Sequence, residues 1–402
     1  MKQLTAKIVN RLKERKQVRN ATGFSFAFAD NLRYLNMTDW DNVTRGQSFF
    51  FSSEYLKMLE SVCPENLELR YALIGNSDGP VAAVCMQIVR ISAAQFGQLT
   101  DAPSRITEKI AQRVLVCGNL LTYGMHAVCF APNADATIWH GVAETLYRIR
   151  RAEKLSGQPD IVLIKDIPET VKTQSALLGK LSYTAVETEP NMVLTLDPKW
   201  RTHADYLAGL TSKYRSAVKQ QIFKPFDEAG CELVVLSDIR EHAKTLQDLY
   251  LQVHSNADLR PFTLRPEYWT ALAETAGDKL VIHGVRRQNK LIGFIATLKD
   301  GDTAFAYHIG FDRDVAQTGI PIYLRLLHAS LEQAIAFGCR QVSFGRTALE
   351  PKARLGCEPE PMHVWVRHRQ PMLNQFIRPL LRFIQPNDAP ELNPFKKTSK
   401  PE

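Results

Sequence analysis

The sequence predicts an α/β protein built from two related domains in tandem, each with a mixed, mainly antiparallel sheet flanked by helices. Three observations carry this reading. The chain has 402 residues, and a single core stops growing well before that, so two or three domains of roughly 100–200 residues are expected. Hydrophobic residues make up 45% and charged residues 23%, which is ordinary globular usage and excludes wholesale disorder. One order of elements also reads twice along the chain: a helix, a tight antiparallel hairpin, further strands, a long helix and another strand.

Residues 1–44 form a basic opening segment. Leu4, Ile8 and Leu12 fall on one helical face, with Lys7, Arg11, Arg15 and Lys16 around it. A solvated terminal helix and a weak anchor on an anionic membrane both fit that pattern. The first domain is expected at 45–198. Ser52 or Ser53 caps a helix through Tyr55, Met58 and Leu59. Strands at 67–74 and 81–91 flank Asn76-Ser77-Asp78-Gly79-Pro80, a strong hairpin signal. A polar helical insert at about 93–113 follows. Then come strands at 114–117 and near 127–130, a helix over 135–155, a strand at 161–165 and a last strand near 192–196.

The second domain is expected at 199–370. It opens on a helix over about 203–226 that carries Lys213, Arg215, Lys219 and Lys224. The stretch from Leu264 to Leu272 echoes the stretch from Phe51 to Leu59, so that Glu267-Tyr268 matches Glu54-Tyr55. Strands at 280–285 and 291–298 around Arg287-Gln288-Asn289-Lys290 echo the first hairpin. A strand at 304–311, a helix over 322–337 and a strand at 341–344 complete the repeat. Residues 371–402 form an amphipathic helix and a basic tail. Leu373, Phe376, Ile377, Leu380, Leu381 and Ile384 share a face, Arg378 and Arg382 lie elsewhere, and Pro379 should kink or split the helix. That face either docks on the protein's own core or meets an anionic membrane.

The net charge of +8 is unevenly placed. Residues 1–20 contribute +6 and residues 364–402 contribute +4, leaving −2 in between. The core is therefore not a generic polyanion binder. None of the seven cysteines forms a C-x-x-C pair, which suits small buried hydrophobes in a reducing compartment. No run of about 18 apolar residues exists, and Met1-Lys2-Gln3-Leu4-Thr5 lacks the apolar core of a signal peptide. A cytoplasmic protein is expected, with peripheral membrane contact left open.

The stretch richest in chemistry runs Phe344-Gly345-Arg346-Thr347-Ala348-Leu349-Glu350-Pro351-Lys352-Ala353-Arg354-Leu355-Gly356. A strand ends at a glycine, and Arg346, Thr347, Glu350 and Lys352 follow closely. Arg346 holds a carboxylate or phosphate through a bidentate fork and Lys352 as a point charge, and a solvated loop with a structural ion pair also fits. His363 and His368 stand five apart beside Arg367 and Arg369, and no metal site is expected there. His254, Asp258 and Arg260 form a polar loop that either faces a groove or is plain. There is no G-x-S-x-G, H-E-x-x-H or Walker-type loop.

Phe344-Gly345-Arg346-Thr347, with Lys352 and Gly356, resembles the end of the acyltransferase domain in bacterial GNAT-superfamily proteins of the biotin-cluster and cellulose-biosynthesis types. Tyr307-His308-Ile309-Gly310-Phe311-Asp312 and a long helix ending Ala334-Ile335-Ala336-Phe337-Gly338 fit the same pattern. Leu210-Thr211-Ser212-Lys213-Tyr214-Arg215 resembles the basic helix opening the second domain of Fem-type peptidoglycan aminoacyltransferases, which are also tandem GNAT-like proteins. The resemblance spans about residues 45–370. It implies acyl transfer to an amine, with the donor held where two central strands splay apart and its oxygen polarised by an N–H of the fourth strand, here 304–311. It points to Tyr307, His308 and Lys352 as catalytic residues. Arg346, Thr347, Glu350, Lys213 and Arg215 would bind substrate, and Gln317, Thr318 and Gly319 would meet the donor. Strand alternation puts Tyr307 and His308 on opposite faces, so one of them lines the groove, and His308 suits a base near neutrality.

One departure stands out. The pyrophosphate loop of acyl-CoA enzymes has Arg or Gln, two residues, Gly, one residue, then Gly or Ala. Here Ala316-Gln317-Thr318-Gly319-Ile320-Pro321 puts Gln317 one residue too close to Gly319, and Pro321 brings no N–H to a phosphate. Three readings follow. In the first, an N-acyltransferase uses acyl-CoA as a co-substrate, with no tightly bound cofactor. In the second, a Fem-like enzyme takes an aminoacyl group from tRNA. In the third, a degenerate, non-catalytic pair sits at the membrane surface. The acceptor is a small-molecule, peptide-linked or lipid-linked amine.

Overall fold

The computed structural model describes residues 22–91, 112–257, 260–381 and 389–396. The expected basic helix in residues 1–21, nearly all of the polar insert, Asp258, Arg382 and Ile384 lie outside the described residues, as do the side chains of Phe376, Arg378, Leu380 and Leu381.

The same strand order occurs twice. In the first half, β1 (Ser25–Ala29), β2 (Leu67–Asn76), β3 (Gly79–Ile91) and β4 (Gln112–Cys117) are successive antiparallel neighbours. The short β5 (Val128–Phe130) pairs with β3, and β6 (Ile161–Pro168) lies parallel to β4. After β7 (Thr184–Thr195), the second half repeats the plan with β8 (Cys231–Val235), β9 (Leu280–Arg287), β10 (Lys290–Asp300) and β11 (Thr303–Phe311), all antiparallel. β12 (Gln341–Ser343) is parallel to β11.

The halves are nevertheless not separate sheets. β13 (Glu358–His368) lies between β6 and β7, and β7 lies between β13 and β12. Each half's last strand thus borders the other half's penultimate strand, and one sheet runs through both. The sequence boundaries at 198 and 370 fall between elements, after β7 and after β13, but the one at 44 does not follow this arrangement. β1 belongs to the first sheet rather than to a detached opening segment, because its backbone pairs with β2 from Ser25–Gly75 to Ala29–Tyr71. Residues 358–368 serve both halves.

Local chemistry explains the elements. At the β2–β3 hairpin, Asn76 Oδ1 accepts the Asp78 N–H at 2.8 Å and Gly79 takes φ 128°, the turn chemistry the sequence signals. β3 is buried on both faces along most of its length, as expected for a strand covered on both sides. The helices around the sheet are α1 (Met37–Thr44), α2 (Ser53–Val62), α3 (Ile138–Ala152), α4 (Ile239–His254), α5 (Glu267–Ala276) and α6 (Ile322–Ala336). Asn36 and Ser52 cap α1 and α2 through their side-chain oxygens. On one face of the sheet α1, α2, α4 and α5 share a single core across the two halves, in which Trp40, Tyr55 and Leu59 join Tyr268, Trp269 and Phe294. On the other face the cores are separate, one under α3 and one under α6.

The expected helix over 203–226 is broken. It comprises His203–Gly209, then Ser212–Val218, a π-helical turn Lys219–Phe223, and Lys224–Glu228. The helix Pro371–Leu381 runs through Pro379 and is tied to the sheet by Asn374, which accepts the His368 N–H at 2.7 Å and donates to the Ser182 carbonyl at 2.8 Å. Ile377 is buried, whereas Met372 and Leu373 are exposed. Among the described residues no helix is long and apolar enough to cross a membrane.

Trp365 shows what β13 contributes. It is buried in the first half's core, and its indole N–H donates to Ser175 Oγ at 3.0 Å. Trp365→Ala should cost about 3–5 kcal/mol and lower the urea midpoint of one common transition. An unchanged midpoint would separate β13 from the first half's stability.

Candidate functional site

The second half's fourth strand, β11, carries a bulge where the sequence suggests chemistry. Ala296 faces His308, but the next residue, Thr297, faces Ala306, so Tyr307 is an extra residue on β11. A bulge of this kind re-aims side chains and lifts one residue out of the ladder. It overturns the expected alternation. The rings of Tyr307 and His308 lie side by side, 4.0 Å apart, and both reach the Tyr268 hydroxyl, at 3.0 Å for Tyr307 Oη and 2.9 Å for His308 Nε2. Tyr55, the repeat partner of Tyr268, lies 3.1 Å from the Tyr307 hydroxyl. Asn119 Nδ2 donates to Tyr55 Oη at 2.9 Å, and Gln87 Nε2 donates to Asn119 Oδ1 at 3.0 Å. A polar chain thus runs from β3 of one half to β11 of the other.

This chain is enclosed. Tyr55 and Tyr268 have no exposed surface and Tyr307 almost none. Burial pushes the His308 imidazole down to about 3 and the Tyr307 phenol well above its ordinary range. A neutral imidazole that resists protonation is a poor base near pH 7, so His308 departs from the role expected of it.

β11 and β12 pair only from Thr303–Gln341 to Phe305–Ser343 and then part. The first half fills the gap. Tyr123 Oη lies 2.8 and 2.9 Å from the carbonyl oxygens of Ala306 and Ser343 and shares its one hydrogen between them. Its ring lies on Gly345, where a Cβ would come within 3.2 Å of it and where φ is 71°. His126, Phe50 and Phe305 pack beside it. Nothing in the sequence singled out Tyr123, because its loop has no periodicity and no motif.

The turn after β12 is braced from within. Lys352 is buried, and its ammonium donates to the carbonyls of Gly345, Arg346 and Thr347 at 3.2, 2.5 and 2.8 Å. Burial pulls it down to about 8, yet all three of its hydrogens are engaged, which holds it charged. It staples a turn in which Thr347 and Ala348 are left-handed, at φ 62° and 45°. Arg346 reaches into the first half and pairs with Asp166, a fully buried carboxylate that also accepts from Lys165 Nζ at 2.5 Å and from the Gly124 N–H at 3.1 Å. Arg346 and Lys352 therefore do not converge on one cleft with Tyr307 and His308. The short reach of a buried ammonium and the attraction of Asp166 turn them elsewhere.

The remaining expected residues spread over the outer surface. Lys213 and Glu350 line a cleft of about 1000 Å³ with Glu189, Tyr214, Gln220 and Arg354. The Thr347 N–H donates to Glu189 Oε2 at 3.2 Å, and Arg354 pairs with Glu350 at 2.7 Å. Arg215 instead donates to the Leu210 carbonyl at 3.3 Å. Gln317, Thr318 and Gly319 are exposed at the turn before α6, and Thr318 Oγ1 donates to the Val315 carbonyl at 2.7 Å. Beyond that turn, Leu324, Leu327 and His328 of α6 are covered by Tyr214, Val218 and Ile222, leaving a cavity of about 70 Å³. Small-molecule sites are typically several times larger, at about 300–1,000 Å³. With Tyr123 in the splay and Pro321 at the turn, these residues do not fit a coenzyme A held in the GNAT manner. Among the described residues no cluster of His, Cys, Asp or Glu is placed to hold a metal ion.

Residues 212–353 match the family described as an acetyltransferase (GNAT) domain. The second half has the GNAT fold. Among solved structures, FemX superposes with a TM-score of 0.53 at 10% identity, covering 89% of this chain and 99% of that one. A tandem GNAT protein from the clavulanic acid biosynthesis pathway superposes at 0.50 with 13% identity, covering 87% and 99%. These likenesses establish a tandem GNAT architecture over the length of the chain. No curated protein matches its sequence.

The buried histidines set a pH dependence. His126 and His308 are both pushed down to about 3, below the value near 6.5 of an unfolded chain. The unfolded state therefore binds protons first. Stability is complete above pH 6.5 and falls as pH drops toward 3, by up to about 1.4 kcal/mol per pH unit for each histidine. Urea midpoints at pH 7, 6 and 5 should decline in step, and the His308 ring signals should not titrate between pH 8 and 5. A His308 titration in that range would overturn the assignment.

Proposed function

We propose that the protein is an N-acyltransferase whose donor is an aminoacyl ester on tRNA, with the reaction centred where β11 and β12 part. The amine nitrogen bonds to the acyl carbon, the ester C–O bond breaks, and the amine's proton leaves with the carrier's hydroxyl. The acceptor is a small-molecule, peptide-linked or lipid-linked amine. The observation that carries the donor assignment is the filled splay. Tyr123 bridges Ala306 and Ser343 where a thioester arm would lie, and the groove beside α6 retains only about 70 Å³. A carrier that stays outside and presents only its acyl end suits that surface. The bulge at Tyr307 frees backbone beside the splay, the kind of donor a developing oxyanion requires. Exposed Lys213, Lys219 and Lys224 give the 212–228 helix a local basic strip in an otherwise slightly acidic middle. All seven cysteines are free, in keeping with a reducing cytoplasm.

The enclosure of Tyr307 and His308 favours a second reading, a non-catalytic GNAT pair. One assay separates the readings. The purified chain is given labelled aminoacyl-tRNA or labelled acetyl-CoA with a panel of amines, and amide product is counted. Label should move from aminoacyl-tRNA, while Tyr123→Ala, which opens the splay, should raise the retention of coenzyme A at least tenfold. Saturable turnover of acetyl-CoA by the unaltered protein would overturn the donor assignment, and no transfer from either donor would leave the non-catalytic pair.

A further inference from the structure

The 212–228 helix separates two spaces. Outside it lies the 1000 Å³ cleft, and beneath it, against α6, lies the 70 Å³ chamber. Tyr214, Ala217, Gln221 and Arg354 line both, so the two adjoin. The helix between them carries the π turn Lys219–Phe223, and its Gln220 and Gln221 face the cleft. Such turns are rare and gather at functional sites.

The cleft and the chamber differ in chemistry. The charged residues lining the cleft are Lys213 and Arg354 against Glu189 and Glu350. Two cations facing two carboxylates give no net field for a phosphate chain, but they offer complementary ends to a zwitterion. The chamber is walled by Val218, Ile222, Leu324, Leu327 and Leu355; Tyr214, Gln221 and Arg354 stand on the side it shares with the cleft, and His328 lies on α6. His328 is almost wholly buried. Its Nδ1 lies 3.0 Å from His203 Nε2, and its Nε2 has no partner. An unpaired buried nitrogen is costly, and it asks for a ligand atom that supplies the missing hydrogen bond. Either tautomer of the histidine pair leaves Nε2 as a donor or as an acceptor, and a hydroxyl satisfies both.

We propose that cleft and chamber together bind an α-amino acid with a short, hydroxyl-bearing side chain as the amine acceptor. Its carboxylate meets Lys213, its ammonium meets Glu189 and Glu350, and its side chain enters the chamber to reach His328 Nε2. The site borders the splay. Ala348, which lines the cleft, is three residues from Gly345, against which Tyr123 packs, a span of at most about 11 Å of chain. The inference rests on acyl transfer to an amine as the protein's reaction, but its test needs no donor.

Calorimetric titration of the full chain with L-threonine tests it. Threonine should bind saturably. 1-Amino-2-propanol lacks the carboxylate and 3-hydroxybutyrate lacks the ammonium, and each should bind at least tenfold more weakly. 2-Aminobutyrate lacks the hydroxyl, and it should lose about tenfold. Lys213 is exposed, so Lys213→Glu should weaken threonine at least tenfold with an unchanged melting temperature. His328→Leu should erase the preference for threonine over 2-aminobutyrate, and if that variant fails to fold, the Lys213 variant and the analogue series still decide. No saturable threonine binding, equal binding of 1-amino-2-propanol, or displacement of threonine by inorganic pyrophosphate would each overturn the proposal. Transfer to other amines without threonine binding would sink this inference and leave the acyltransferase reading standing. Threonine binding without transfer from any donor would sink the acyltransferase reading, and with it threonine's role as acceptor, and leave only the binding site.

Discussion

β7 and β13 hydrogen-bond to each other along most of their length, and each has a strand of the opposite half on its other side. The pairing is antiparallel, and Met362 in the middle of β13 and Met192 toward the end of β7 are almost fully enclosed. Backbone groups in such a position must be paired, because an unmet N–H or C=O away from water is expensive. The two halves therefore cannot separate without opening ladders on both sides of the pair. The shared core above the sheet, the Arg346–Asp166 pair and the Tyr123 bridge all depend on the relative placement that this pairing fixes.

Within that frame the interface is both polar and buried. Tyr55, Tyr307, Tyr268 and His308 satisfy one another, and Asn119 and Gln87 extend the chain into the first half. Fully connected networks in a low-dielectric interior rigidify and specify a single packing. Two of these tyrosines occupy matching positions in the two repeats, so the interface is built by the duplicated element meeting itself across a pseudo-twofold. The symmetry breaks beside the parallel strand pairs. In the second half Tyr123 enters the gap. In the first, Lys165 donates to the carbonyls of Asn119 and Thr122, and its methylenes crowd Gly118. The 118–124 loop of the first half thus meets both parallel strand pairs, through Tyr123 at one and as the acceptor of Lys165 at the other.

Much of the fold was legible because it rests on local signals. The Asn76–Pro80 hairpin, the Ser52 cap and the 322–336 helix announce themselves through turn residues, capping oxygens and periodicity, and the matched Glu54-Tyr55 and Glu267-Tyr268 revealed the repeat. What stayed hidden was non-local. No pattern in residues 358–368 says that they cross into the other half. The bulge at Tyr307 is set by pairing with β10, and alternation therefore misplaced His308. At Arg346 and Lys352 the residue types pointed to a charged site, but their partners, Asp166 and three backbone carbonyls, are visible only once the halves are assembled. Tyr123 carried no signal at all, being an aromatic residue in a loop.

The position of β13 has a consequence for how the chain is made. Its neighbour β6 ends at Pro168, yet β13 itself ends at His368, so some two hundred residues are synthesised between one strand and the partner that covers it. Until then β6 and β7 present open edges and the first half's core lacks Trp365. At ordinary elongation rates of about 5–20 residues per second that interval lasts on the order of ten seconds or more. An uncovered strand edge is a template for pairing with other chains. The nascent first half thus keeps its strand edges uncovered until the last strand of the protein has been made.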